Sequence, residues 1–231
     1  MLNPIFISYQ HSDLFGKAIF LLLFAASIIT WTLFIKKWLL FKEMRNEGAQ
    51  LRDFFTKKFL NPMQCDKKFS QSSFYILYTT LQNSALRRFH KNNFNEEQKE
   101  RSFLGIKDLE QIEDEVLLTA AAELKNAEKN IFILSTIVSL APFLGLLGTV
   151  WGILTTFLEL QANHGVRAES AIMGGLAMAL ATTVLGLVVA IPALISYNYL
   201  RAQLVLLRHE MMGFSQQLVS NLGHFYCRAE K

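Results

Sequence analysis

Charge is scarce in this chain of 231 residues, and over three long stretches it is missing altogether. Asp, Glu, Lys and Arg make up 18% of the residues against 52% hydrophobic. Ala18 to Ile35 is uncharged over 18 residues, Ile131 to Leu158 over 28 and Ser170 to Leu200 over 31. A bilayer core of roughly 30 Å takes about 20 helical residues, so all three runs are of spanning length. A soluble domain can bury one helix that is apolar all round. Three in so short a chain leave too little polar sequence to cover them, which excludes an ordinary soluble fold.

Other scarcities narrow the function. The two cysteines, Cys65 and Cys227, form no disulfide framework; both fall in segments assigned to the reducing cytoplasm, where free thiols are expected. The five histidines are scattered and none shares a helical face with a Cys, Asp or Glu cluster, so neither metal nor cofactor is expected. No nucleophile, paired carboxylate or phosphate-binding loop appears at a usable spacing, and an enzyme is not expected. A basic segment is missing in front of the first run, and Lys36 and Lys37 follow it at once, so it is expected to stay as an anchor. Neither Pro nor Gly interrupts Ile106 to Ser135. A helix beginning near Glu96 is therefore expected to run unbroken into the second span, over about 60 residues.

What charge there is lies unevenly. Residues 1 to 13 hold no Lys or Arg, Lys36 to Asn130 hold 17 of the 23, the loop from Gln161 to Glu169 holds only Arg167, and the tail from Arg201 holds four. Basic loops resist translocation. The expected organisation is a periplasmic N-terminus (1–13), transmembrane helix 1 (14–36), a cytoplasmic helical domain (37–130), transmembrane helix 2 (131–160), a short periplasmic loop (161–169), transmembrane helix 3 (170–200) and a cytoplasmic tail (201–231). The fold class is all-α membrane protein, with the second and third spans extended into the cytoplasmic domain. Within that domain, apolar residues at spacings of three and four mark helices over Ser72 to Phe89 and from Glu96 onwards, with breaks at Asn61-Pro62 and over His90 to Asn95.

The chemistry is sought on two faces. Ser135, Ser139, Pro142, Gly145, Thr149, Gly152 and Thr156 recur at steps of three and four along the second span. Gly175, Ala179, Thr182 or Thr183, Gly186, Ala190, Ala193 and Tyr197 do the same along the third. Small residues let membrane helices approach closely, and Gly148 to Gly152 is itself a GxxxG pattern, so Gly145, Gly148, Gly152, Gly175 and Gly186 read as packing positions, with Pro142 and Pro192. The hydroxyls of Thr149, Thr183, Thr182, Thr156 and Ser139 are the candidates for lining an aqueous pathway. Neither long span holds an Asp, Glu, His, Lys or Arg, the groups from which proton relays are built. If protons cross here, the acidic group comes from another polypeptide. Glu159, Glu169 and Lys17 read as interfacial charges at the outer ends of the spans.

The stretch from Ser139 to Ile153 (Ser-Leu-Ala-Pro-Phe-Leu-Gly-Leu-Leu-Gly-Thr-Val-Trp-Gly-Ile), the stretch from Ala179 to Leu187, then Ala190-Ile191-Pro192-Ala193 and Tyr197-Asn198 together resemble the TolQ/ExbB branch of the MotA/TolQ/ExbB proton channel family. The similarity in order and topology covers nearly the whole chain. The resemblance implies a homopentamer whose second and third spans surround a pore, holding a TolR- or ExbD-like partner that supplies a membrane Asp. It further implies a TolA- or TonB-like transducer, a bacterial inner-membrane location and a role in a Tol-Pal or TonB-type energy-transducing complex, coupling the proton motive force to outer-membrane transport or envelope integrity. Thr149 and Thr183 fall on the family's pore-facing threonines. One departure stands out: where the branch carries an intramembrane Glu, this chain has Met178 in Gly175-Leu176-Ala177-Met178-Ala179-Leu180. That substitution supports the alternative reading, a non-conducting pentameric scaffold for the same partner.

Overall fold

The computed structural model describes residues 14–58, 72–93, 104–162 and 167–227. Among these residues there are five helices: α1 Leu14–Lys58, α2 Ser73–Asn93, α3 Ile106–Glu128, α4 Ile131–Ala162 and α5 Arg167–Tyr226. Among the described residues there is no strand, only an isolated bridge between Leu104 and Cys227. Three helices are long and apolar enough to cross a membrane, as the uncharged runs require. Residues 1–13, Cys65, the stretch 94–103 and residues 163–166 lie outside the described residues, as do the side chains of Glu159 and Glu169.

The chain divides into two compact units. The first comprises residues up to Lys36 and Asn130–Arg201, that is, the first part of α1, all of α4 and the first part of α5. Its core is Ile19 and Leu23 from α1, Ile137 and Ala141 from α4, and Val189, Ala190 and Ala193 from α5. Large apolar side chains such as Phe132, Phe143, Val150, Phe157, Val184 and Ile195 stay more than half exposed. That outward face is tolerable only against lipid or another apolar surface.

The second unit comprises Lys37–Lys129 and Ala202–Lys231, and its interior is aromatic. Phe55, Tyr78, Phe74 and Phe214 form a chain of ring contacts, with Phe55 to Tyr78 at 5.6 Å, Phe55 to Phe214 at 5.9 Å and Phe74 to Phe214 at 5.6 Å between centroids. Such tilted and edge-on pairs add stabilisation beyond area burial. Phe74 reaches α1 over Gly48, where any Cβ would stand 2.7 Å from the ring's Cζ. Local chemistry sets the helix starts. Ser72 precedes α2 and its Oγ accepts from the Phe74 N–H at 3.3 Å; the Asp108 carboxylate at the start of α3 accepts from the Gly105 N–H at 3.2 Å.

Polar contacts tie these helices together. Glu115 of α3 accepts from the Ser84 hydroxyl and from Arg88 (3.0 Å) and Arg87 (3.1 Å) of α2. The Ser84 bond first, and then the two guanidinium groups, hold its carboxyl below the usual carboxylate range. Arg45 of α1 pairs with Glu210 of α5 at 3.4 Å. Cys227 is a free thiol, half-buried, and burial followed by nearby Asp108 pushes its pKa up.

Two sequence expectations need correction. The helix expected to run unbroken into the second span is interrupted: α3 ends at Glu128, Asn130 adopts φ 72°, and α4 starts at Ile131. No Gly or Pro is needed, because Asn enters the left-handed region at lower cost than other non-glycine residues. The helix that contains the first uncharged run, α1, continues without a break from Leu14 to Lys58. The break expected from His90 begins later, since α2 remains helical to Asn93.

Candidate functional site

α4 and α5 of the first unit meet along a line of glycines. Their contacts run in opposite order, Ala141 against Gly186, Gly145 against Thr183, Gly152 against Ala179 and Thr156 against Gly175, so the helices are antiparallel. A Cβ on Gly145 would stand 3.0 Å from the Thr183 Cα, one on Gly186 2.7 Å from the Ala141 carbonyl oxygen, and one on Gly152 3.0 Å from the Ala179 Cβ. A Cβ on Gly148 would stand 2.6 Å from the Thr182 Cβ. Backbone therefore lies against backbone, the close approach that glycine permits between membrane helices.

The threonines are divided by this seam. Thr182 is fully buried in it and donates to the Ala179 carbonyl at 2.7 Å. Thr156, 8% exposed, donates to the Gly152 carbonyl at 2.7 Å and faces Gly175. Both hydroxyls make their short bonds within their own helix, and Thr182 also reaches the Gly145 carbonyl across the seam at 3.5 Å. Thr183 crosses the seam: its hydroxyl donates to the Gly145 carbonyl at 3.0 Å. Thr149 is half-buried and donates to the Leu146 carbonyl at 2.6 Å. Ser139 is exposed and bonds to the Ser135 carbonyl at 3.3 Å. Thr155, which the sequence reading passed over, shares its hydroxyl between the Trp151 and Gly152 carbonyls at 3.2 and 3.1 Å. Pro142 and Pro192 sit inside α4 and α5 and leave the carbonyls of Val138 and Val188 without their helical N–H partners.

Helical arithmetic shows which flank each residue takes. The buried line on α4 is Ala141, Gly145, Gly148, Gly152 and Thr156. At about 100° per residue, Thr149 lies roughly 60° to one side of it, and Thr183 lies roughly 80° in the same rotational sense from the buried line of α5. Because the helices are antiparallel, equal senses fall on one side of the pair. Ile137, Trp151, Val189 and Tyr199 fall on the other side, and α1 covers that side: Ile19 and Leu23 share a core with Ile137 and Val189, Phe15 stacks on Trp151 at 4.3 Å, and Phe34 meets Tyr199 at 6.1 Å. Met178, 4% exposed, also turns towards the α1 side. Thr149 and Thr183 therefore share the flank of the α4–α5 pair that α1 leaves uncovered.

This flank can do a limited chemistry. Each hydroxyl has its proton committed to a carbonyl and keeps lone pairs for a donor, so it can accept a hydrogen bond from water. It can neither bind nor release a proton at ordinary pH, because Ile131–Leu158 of α4 and Ser170–Leu200 of α5 contain no Asp, Glu, His, Lys or Arg. No group of metal ligands occurs among the described residues.

A helical fold with three helices of spanning length and a glycine-tight antiparallel pair among the described residues defines a polytopic helical membrane protein. Its sequence specifies which kind: the chain belongs to the MotA/TolQ/ExbB proton channel family, whose model matches residues 81–212. It is similar to the biopolymer transport protein ExbB of Pseudomonas putida, 32% identical over 194 residues, covering 82% of this chain and 54% of that protein. The biopolymer transport protein ExbB of Salmonella typhimurium is 30% identical over 200 residues, covering 85% and 77%. That of Aquifex aeolicus is 50% identical over 76 residues, covering 33% and 51%. The chain thus spans about half the length of the Pseudomonas relative and about three quarters of the Salmonella one.

Proposed function

We propose that this chain is the channel-forming subunit of a proton-driven energy-transducing complex in a bacterial inner membrane, of TonB or Tol-Pal type. The ExbB relatives favour the TonB type. The observation that carries the reading is the pairing of Thr149 and Thr183 on the open flank of a seam that has no ionisable group of its own. Such a flank can hold water but needs a carboxylate from elsewhere to move protons. In a homopentamer the five flanks surround a pore, and the membrane Asp of a TolR- or ExbD-like partner completes the path. A TolA- or TonB-like transducer receives the energy. The N-terminus is periplasmic and the C-terminus cytoplasmic, with the segment boundaries set by the uncharged runs and the 17 basic residues between Lys36 and Asn130.

Met178 supports a second reading, a non-conducting pentameric scaffold that positions the same partner. The two part on one experiment. In a strain lacking the chromosomal copies, neutralising the partner's membrane Asp abolishes complementation if the complex conducts, and leaves it intact if this chain is only a scaffold. The orientation has its own check: a cysteine placed at Asn163 reacts with a membrane-impermeant maleimide from outside, and protection there reverses the topology.

A further inference from the structure

The first uncharged run is short for its task. Ala18 to Ile35 measures about 27 Å as a helix, against a hydrocarbon thickness of roughly 30 Å. Lys36, the first residue after it, is exposed, and its four-carbon stem lets the ammonium reach the polar layer from inside the boundary; the three residues after Lys37 are apolar. Trp38, Leu39 and Leu40 are 39%, 52% and 36% exposed, a contiguous apolar patch on a helix that never breaks. Lys36 and Lys37 separate this patch from the apolar run in sequence, and of the two Lys37 is drawn inwards. It is half-buried, and its ammonium donates to the Ala127 carbonyl of α3 at 2.8 Å, satisfying an acceptor in the last turn of that helix. Its charge is thereby turned away from the exposed side. One turn beyond Trp38, the Lys42 ammonium stands 5.3 Å from the centroid of the Trp38 ring, within cation–π range. Lys42 forms no ion pair among the described residues.

We propose that α1 stays in the bilayer past Lys37 as far as Leu40, and that Trp38 and Lys42 form the boundary, holding the headgroup phosphate of an anionic phospholipid. The patch commits to lipid because its apolar part continues a membrane-spanning helix, and because an indole beside a lysine is the pairing that suits the carbonyl and phosphate layer of a bilayer. Extending the span to Leu40 adds five residues and brings it to about 35 Å, enough for the core with a modest tilt. Glu43, the next residue, is exposed and lies about 100° round the helix from Lys42. The inference concerns α1 alone and does not depend on whether the complex conducts.

The test uses the full chain with Trp31→Phe and Trp151→Phe, leaving Trp38 as the one tryptophan, in phosphatidylcholine vesicles containing a small fraction of brominated lipid. Brominated phosphatidylglycerol is expected to quench Trp38 more strongly than the same fraction of brominated phosphatidylcholine. The difference should correspond to a local enrichment of about fivefold, be lost in Lys42→Gln and be kept in Lys42→Arg. Equal quenching by the two lipids would overturn the anionic site. No quenching by either would overturn the boundary itself and place the patch under protein. If the tryptophan variants fail to fold, a polarity-sensitive fluorophore on Leu39→Cys, with Cys65→Ser and Cys227→Ser, reads the same boundary: a lipid-like emission that shifts on adding phosphatidylglycerol supports it, and a water-like emission overturns it.

Discussion

Alanine at Gly186 puts a methyl group into the backbone of α4. The new Cβ would lie 2.7 Å from the Ala141 carbonyl oxygen and 3.1 Å from the Gly145 Cα, and neither neighbour is a side chain that can rotate away. Ordinary contact begins at about 3.4 Å, so the helices must part there by about 0.7 Å. A gap of that size forfeits a quarter to a half of the dispersion attraction between facing atoms. It also stretches the 3.0 Å bond from Thr183 to the Gly145 carbonyl beyond useful range. Overpacking of this kind costs about 1–3 kcal/mol, partly offset by alanine's better helix propensity of up to about 1 kcal/mol. Gly174 is the internal control, since a Cβ there meets nothing within 4 Å. Gly174→Ala therefore keeps the propensity gain without the clash. The expected gap between the two variants is about 2 kcal/mol, or roughly 5 °C in the thermal unfolding of the detergent-solubilised protein. Equal melting temperatures for Gly186→Ala and Gly174→Ala would refute the reasoning that α4 and α5 are held backbone to backbone.

Further expectations follow from the same geometry. Thr183→Ser keeps the donor to the Gly145 carbonyl and should retain complementation, whereas Thr183→Val loses it, with about 1 kcal/mol of stability lost alongside; equal behaviour of the two would show that the hydroxyl is idle. Thr149→Leu should abolish complementation while the purified complex keeps its size, because a bulky apolar group replaces the acceptor on the open flank; unchanged activity would remove Thr149 from the pathway. Glu115→Gln should cost about 1 kcal/mol at pH 7 through weakened bonds to Ser84, Arg88 and Arg87. Since the folded-state pKa of Glu115 is lowered, its contribution is present above the ordinary carboxylate value and disappears as the pH falls through the folded-state value. The melting gap between wild type and variant should therefore close on acidification below about pH 4; a constant gap would mean that its charge plays no part.

The membrane helices were legible because a charge-free run leaves few alternatives: Ala18 to Ile35, Ile131 to Leu158 and Ser170 to Leu200 all lie within α1, α4 and α5. The break before α4 was not, because it rests on one Asn in a left-handed conformation rather than on Gly or Pro. The stripe of small residues on the second span was only partly legible. Spacing alone spreads Ser135 to Thr156 over a broad arc, and only the position of α5 shows that Gly145, Gly152 and Thr156 face the seam with Ala141 and Gly148 while Thr149 and Ser139 lie off it. Thr182 and Thr183 are adjacent and periodicity left them as alternatives; packing assigns one to the buried contact and the other to the crossing bond. The Ser84, Arg88 and Glu115 cluster escaped the sequence reading, because residues on different helices have no fixed spacing to reveal them.

The channel reading meets its most direct test in proton flux into liposomes under an imposed pH gradient, with this chain reconstituted alone and together with its TolR- or ExbD-like partner. Flux that appears only with the partner, and vanishes when the partner's membrane Asp is neutralised, is the predicted result. Absence of flux from a complex shown to be assembled would contradict the account and leave the chain a scaffold.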